Sequence, residues 1–135
     1  MTTDALTAPA PRRLGRRILA VFAGLLANAI PATAIDAALH ASGVYPPMGV
    51  RMSDALFLLA LSYRLVLGVA GSYLTARLAP DRPMQHALAL GGVGVLLGTA
   101  GTVAFWDAGS AWYPLTLIAL TMPCAWLGGR LRQRP

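Results

Sequence analysis

Hydrophobic residues form four long runs along this 135-residue chain, separated by short stretches that are rich in proline, glycine and polar residues. The runs extend over about 18–40, 55–78, 84–106 and 112–129. Each has about the 20 residues that a helix needs to cross the apolar core of a bilayer. The pattern therefore predicts an all-α fold, an integral membrane four-helix bundle. Residues 1–135 would form a single transmembrane domain, with 1–11 as a disordered tail.

Charged residues make up only 12% of the chain, about half the share that is usual in soluble domains. Too little polar surface is left to cover a water-soluble globule. The formal net charge of +6 raises the alternative of nucleic-acid binding. The arginines flank apolar runs, however, instead of forming a basic stripe with interleaved aromatics. We therefore expect no nucleic-acid partner and a lipid bilayer whose anionic headgroups face the basic residues.

The positions of the arginines also predict an orientation, because basic residues near the ends of spans stay in the cytoplasm. With the N-terminus inside, one arginine, Arg51, falls on the outer side, and Arg64 lies within the second run. The others are all inside: Arg12, Arg13, Arg16, Arg17, Arg77, Arg82, Arg130, Arg132 and Arg134. The distribution predicts a multi-pass N-in/C-in protein of the bacterial inner (cytoplasmic) membrane.

The first run has an alternative interpretation as a cleaved secretory signal. Arginines precede an apolar stretch, and Pro31-Ala-Thr-Ala34 is similar to an A-x-A cleavage site. Cleavage after Ala34 would leave three spans. Apolar residues resume at 37–39 and extend the run to spanning length, which favours a retained first span.

Arg64 is the polar residue that fits least easily into lipid. An arginine near the midplane costs about 2.5–3.5 kcal/mol on insertion scales, so it needs a partner or a water-filled cavity. Asn28 should lie at a similar depth, Asp36 within reach of Arg64, and His40 on the same helix face as Asp36. These four residues are the predicted binding site, which would hold an anionic group or relay protons. Alternatively, Arg64 and Asp36 form a structural ion pair that fixes the register of the first two helices.

Small residues at intervals of three and four predict faces along which helices approach closely. We expect these faces to pack within one chain, with a dimer face as the alternative. They carry Gly68 and Ser72 in the second run and Gly91, Gly94, Gly98 and Gly101 in the third. The first connection ends in a sequence suited to a helix start, with Ser53 as the N-cap of the second helix.

No catalytic motif is present: the chain has no HExxH, CxxC, GxSxG or P-loop sequence. The single cysteine, Cys124, excludes a cluster of cysteine ligands. We therefore expect no catalytic residues, no metal site and no cofactor. The sequence predicts a non-enzymatic accessory or structural component of the membrane. The alternative is a small oligomeric transporter or channel subunit, a possible homo-oligomer, with a polar cavity around Arg64 and Asp36.

Several stretches carry a resemblance to a known group of proteins. They include Gly71-Ser-Tyr-Leu-Thr-Ala-Arg77, Arg82-Pro-Met-Gln-His86 and Pro123-Cys-Ala-Trp-Leu-Gly-Gly-Arg130. From about Arg16 onward the chain resembles a family of uncharacterised small bacterial four-helix integral membrane proteins. The resemblance implies a fold and a location, and it implies no activity. Small multidrug transporters are similar in length and span number only, because this chain lacks the glutamate of their first helix.

Overall fold

The computed structural model describes residues 10–47, 49–108 and 110–133, and every regular element in these ranges is helical. The elements are α1 (Ala10–Ala41), α2 (Asp54–Leu78), α3 (Pro83–Ala104), a 3-10 turn at Trp106–Ala108, and α4 (Trp112–Gln133). The prediction of an all-α chain with four long helices is confirmed. Of the predicted tail 1–11, residues 1–9 lie outside the described ranges, and the last two residues belong to α1.

Local chemistry sets the ends of α2 and the start of α3. Ser53 is the N-cap of α2, as predicted, and its hydroxyl accepts a hydrogen bond from Leu56 N at 3.4 Å. α2 ends before Ala79, which takes an extended conformation because a proline follows it. Arg82 then turns the chain with a left-handed φ of 44°, and Pro83 opens α3 at a position where no backbone donor is needed.

The helices form a bundle in which α2 is central. It packs against α1 and α4 along most of its length and against α3 more sparsely, and α3 packs mainly on α4. The loop 42–53 and the segment 105–111 meet at one end of the bundle, where Arg51 donates to the Ser110 hydroxyl. The loop 79–82 lies at the other end, where Asp81 contacts Arg17 of α1. We call these the Tyr45 end and the Asp81 end.

The distribution of side chains is inverted relative to that of a water-soluble protein. Small residues are the most deeply buried, with Ala87 and Thr75 fully enclosed. Large apolar residues cover the outside, among them Val66, Leu96 and Val103 at 67%, 72% and 74% exposure. Soluble monomers rarely present continuous apolar surface of this kind. Close contacts through small side chains are what helices use to associate in lipid.

Three helices are long and apolar enough, by length and composition, to cross a membrane: α1 from Arg13 onward, α2 and α3. α4 is as long as α3 but less apolar, because it holds two tryptophans, a tyrosine, two prolines and two arginines. Its role as a fourth span therefore stays a prediction.

Candidate functional site: a buried arginine between two cavities

Arg64 lies in the middle of the bundle. It is the eleventh residue of α2, about 15 Å from the start of the helix at the usual rise per residue. Its Nη2 forms an ion pair with Oδ2 of Asp36 on α1, and the two side chains are 32% and 29% exposed. The other carboxylate oxygen of Asp36 accepts a hydrogen bond from the Tyr63 hydroxyl. Two consecutive residues of α2 thus hold one carboxylate of α1.

A chain of hydroxyl groups continues from this carboxylate toward the Tyr45 end. The hydroxyl oxygens of Tyr63 and Tyr45 are 2.9 Å apart. Tyr63 uses its one hydrogen on Asp36, so Tyr45 is the donor in the contact between the two tyrosines. Tyr45 itself is only 4% exposed although it lies in a loop. The loop is therefore anchored to the centre of the α1–α2 pair.

His40 lies beside this chain and does not reach Arg64. Its Nδ1 is 2.8 Å from the backbone carbonyl oxygen of Asp36, which can only accept, so Nδ1 carries a hydrogen. The ring meets Tyr45 edge to face, with 5.2 Å between the ring centroids. His40 thus helps to hold Tyr45 in place. The predicted binding site is only partly formed, because His40 does not reach the guanidinium of Arg64.

A cavity of about 570 Å³ opens next to Arg64 toward the Tyr45 end. Its polar groups are the guanidinium of Arg64, the phenol of Tyr113 and the hydroxyls of Thr102 and Ser110. Most of the wall is apolar or lacks a side chain: Phe57, Gly98, Gly101, Phe105, Trp106, Pro114 and Leu117. We call this space the outer cavity.

A smaller cavity of about 160 Å³ continues from Arg64 into the Asp81 half of the bundle, and we call it the inner cavity. Asn28, Arg64 and Gly98 are among its walls, and Arg64 and Gly98 also line the outer cavity. The remaining wall is formed by Leu25, Leu65, Gly68, Ser72, Leu90, Gly91, Gly94, Leu117, Ile118, Thr121 and Cys124. Arg64 thus lines both cavities, at the point where they meet.

The guanidinium of Arg64 is not saturated by the contacts around it. Nη2 is bound to Asp36, whereas Nε is buried and finds no hydrogen-bond partner among the described residues. A guanidinium has five N–H donors in a planar fork, so one carboxylate oxygen leaves several of them free. The ion pair is neutral as a whole, and it still presents unused donors.

A polar network lies at the Tyr45 end of the bundle, and its Ser110 also lines the outer cavity. The Ser110 hydroxyl accepts from Arg51 and donates to Asp54, each at 3.1 Å. The indole of Trp112 donates to the same Asp54 oxygen at 3.0 Å. Arg51, the one arginine predicted outside, is thus held by neutral and acidic groups at this end.

The small-residue faces lie at helix crossings, with one exception. A Cβ added at Gly94 or Gly98 would lie 2.9 or 3.3 Å from Thr121 or Ile118 of α4, and one at Gly91 would lie 2.7 Å from the Ala125 Cβ. The same face of α3 continues to Gly101, where such an atom would meet nothing within 4 Å, because this glycine borders the outer cavity.

The α2 positions face α4 as well. Ser72 is buried, and its Cβ lies 2.6 Å from where a Cβ of Gly128 would be. Gly68 has more room, because an added Cβ would lie 3.7 Å from that of Cys124. The tightest approach between helices involves Gly24 of α1, a residue that was not among the predicted packing positions. A Cβ there would lie 1.8 Å from the Thr75 hydroxyl and 2.6 Å from the Gly71 carbonyl oxygen.

At the Asp81 end, the guanidinium of Arg17 binds the Asp81 carboxylate through two contacts, Nη2 to Oδ2 at 2.6 Å and Nε to Oδ1 at 3.3 Å. The hydrogen bonds from Arg17 hold the pKa of Asp81 below its usual value. This pair joins α1 to the α2–α3 loop, so both ends of α2 are tied to other elements by charged groups.

Over the described ranges, no three histidine, cysteine, aspartate or glutamate side chains converge on a point that could hold a metal ion. Comparison with known proteins finds no matching family profile, no matching curated protein and no matching solved structure. The function must therefore be argued from the site itself.

Proposed function

We propose that this chain is a bacterial inner-membrane protein with four spans, N-in/C-in, of the kind that its sequence resembles. Its apolar exterior supports this placement. So does the charge at the two ends, because Arg16, Arg77, Arg130 and Arg132 are exposed toward the Asp81 end. In this placement the Asp81 end is cytoplasmic, and its arginines face anionic lipid headgroups.

Within the membrane, the proposed function is that of a non-enzymatic small transporter or channel subunit. One observation carries it: Arg64 lines both the outer cavity and the inner cavity. Ionisable residues inside spans usually mark the pathway of a substrate or ion. Here the ionisable residue lies where two spaces along the bundle meet, with Asp36 as its counter-charge. The cavities of one chain are small, so a second copy is proposed to complete the path.

A second candidate, an accessory or structural component, is favoured by a different observation. Asp36 is bound by both Tyr63 and Arg64, so the polar contacts join α1 to α2 without any ligand. On that proposal the cavities are packing defects of a dry bundle. The two candidates differ in one physical property, which is whether water reaches the region between the cavities.

Cysteine labelling measures that property. In a Cys124→Ala background, Gly98→Cys places a thiol where both cavities meet, and Leu97→Cys places one at the same depth on the exposed apolar surface. A membrane-impermeant thiol reagent is applied from outside to spheroplasts that carry either variant. Thiol reagents of this kind react with the thiolate, which forms in water and not in lipid.

The transporter proposal expects labelling of the thiol at 98 and protection of the thiol at 97. Protection of both positions would refute the water path and leave the structural candidate. Labelling of both would mean that this depth of α3 is not in lipid, and it would overturn the membrane placement as well.

A further inference from the structure

We propose that the outer cavity is a binding site for an amphipathic anion, a molecule with one carboxylate, phosphate or sulfonate group on an aromatic or short acyl body. The proposal rests on the membrane placement and deepens the proposed function by naming the class of solute. Two parts of the cavity lining, the polar pair Arg64 and Tyr113 and the apolar side chains, define that class.

The polar part is formed by Arg64 and Tyr113. The unused donors of the guanidinium, including the buried Nε, are suited to oxygen acceptors that carry charge, because such hydrogen bonds are about twice as strong as neutral ones. The phenol of Tyr113 lies close to the same guanidinium and adds a further donor. Both groups line the cavity, so an anion there would be held from two helices.

The apolar part explains why the ligand must carry a body as well as a charge. Phe57, Phe105 and Trp106 contribute aromatic surface, and Gly101 leaves space where a side chain would otherwise project. A volume of about 570 Å³ falls within the range of small-molecule sites, roughly 300–1,000 Å³. A bare inorganic anion would leave most of this wall without contact.

Charge balance makes the proposal specific. Arg64 and Asp36 together are neutral, so an arriving anion competes with Asp36 for the guanidinium. The other ionisable groups nearby are His40 on α1, Tyr45 in the loop, Tyr63 on α2 and Tyr113 on α4, and none of them is a lysine or an arginine. Removing the charge of Asp36 should therefore strengthen anion binding, whereas removing the charge of Arg64 should weaken it.

The test uses the full chain in nanodiscs of pure phosphatidylcholine, which carry no net lipid charge. The probes are the fluorescent anion 1-anilinonaphthalene-8-sulfonate and N-phenyl-1-naphthylamine, which has the same ring body without the sulfonate. Inorganic sulfate is the competitor that lacks the body. The variants are Arg64→Gln, Asp36→Asn and, as the matched charge control, Arg77→Gln, about 20 Å away along the same helix.

We expect Arg64→Gln to weaken binding of the sulfonate by about tenfold or more, which corresponds to the loss of a hydrogen bond to a charged group. Binding of the neutral amine should stay unchanged in this variant. Asp36→Asn should tighten sulfonate binding, and Arg77→Gln should leave it unaltered. Sulfate should displace the probe only weakly.

Gly101→Leu provides a test that does not alter the charges. A Cβ added at 101 would meet no neighbouring atom within 4 Å, so we expect the bundle to accommodate the larger side chain while it fills the cavity. It should weaken both probes, provided that the variant elutes and unfolds like the wild type. This variant keeps the proposal testable even where Arg64→Gln does not fold.

Equal binding of the sulfonate by Arg64→Gln and Arg77→Gln would overturn the proposal, as would weaker binding by Asp36→Asn. Competition by sulfate as strong as that by an unlabelled aromatic sulfonate would overturn the amphipathic part. The labelling at position 98 separates this inference from the proposed function. Labelling without probe binding refutes the ligand class alone, and probe binding without labelling refutes transport alone.

Discussion

Because α1 and α2 cross closely at Gly24, a larger side chain at this position is predicted to lower the free energy of unfolding. Gly24→Ala places a methyl group 1.8 Å from the Thr75 hydroxyl oxygen and 2.6 Å from the Gly71 carbonyl oxygen. Ordinary van der Waals contact begins near 3.4 Å, so the methyl group requires a shift of about 0.8 Å against the backbone oxygen of Gly71 and a larger one of the Thr75 hydroxyl. The same shift disturbs the hydrogen bond from Thr75 to the Ala20 carbonyl oxygen, which is 2.9 Å long.

The magnitude follows from three contributions. Overpacking costs about 1–3 kcal/mol, and contact with backbone puts this case at the upper end. A side-chain hydrogen bond between membrane helices contributes about 0.6 kcal/mol. Alanine is favoured over glycine inside a helix by about 1 kcal/mol, which offsets part of the cost. We therefore expect Gly24→Ala to lower the free energy of unfolding by about 2–3 kcal/mol.

The matched control is Gly15→Ala on the same helix, where an added methyl group meets no neighbouring atom within 4 Å. It should be neutral or stabilise the protein by up to about 1 kcal/mol. Both variants are measured by equilibrium unfolding in mixed micelles with increasing sodium dodecyl sulfate. A Gly24→Ala protein as stable as Gly15→Ala would show that α1 and α2 do not cross at this glycine, and the reasoning would fail.

Three further predictions concern the charged residues. Asp36→Ala should lower the free energy of unfolding by about 1–3 kcal/mol in the same assay, because the half-buried guanidinium of Arg64 loses its partner. Adding Arg64→Leu to this variant should recover most of the loss, and a double variant that is less stable than Asp36→Ala would contradict this. Arg17→Gln should reduce thermal stability at pH 7, whereas Arg16→Gln, which changes an exposed arginine, should not. Because the folded pKa of Asp81 is depressed, the difference between the two variants should persist above about pH 4 and vanish as the pH falls through the folded pKa. A difference that grows on acidification would refute the pairing of Arg17 with Asp81. A reporter that is active only in the cytoplasm should work when fused after residue 133 and fail when inserted in the loop 42–53; the opposite result would reverse the proposed orientation.

The helical architecture was predictable because apolar runs of spanning length, broken by proline and glycine, leave few other structures in lipid. The contact between Arg64 and Asp36 was foreseeable for a related reason. A charge at that depth requires a partner, and Asp36 is the one acidic residue in the preceding run. Helical periodicity likewise pointed to the α3 glycines, which repeat every three or four residues.

Other parts of the site could not be predicted because they depend on how the helices are arranged. Tyr113 stands at the start of α4 among aromatics typical of a membrane interface, and nothing in its local sequence indicates that it shares a cavity with Arg64. Gly24 has no second glycine three or four residues away, unlike most glycines of α3. Tyr45 lies in the loop 42–53, outside the apolar runs, and it becomes buried because a hydroxyl chain connects it to Asp36.

If the proposed membrane placement holds, the position of the two central charges in neighbouring helices has a consequence for how the protein inserts. α1 and α2 are consecutive in the chain and joined by a loop of 12 residues between Ala41 and Asp54. In the proposed placement, each helix alone would carry an uncompensated charge into the bilayer, and insertion of such helices is unfavourable. If the two helices leave the insertion machinery together, they form a hairpin in which Arg64 and Asp36 neutralise each other. Biogenesis should therefore proceed in pairs of helices, with a truncated chain that ends after α1 inserting less efficiently than one that extends through α2.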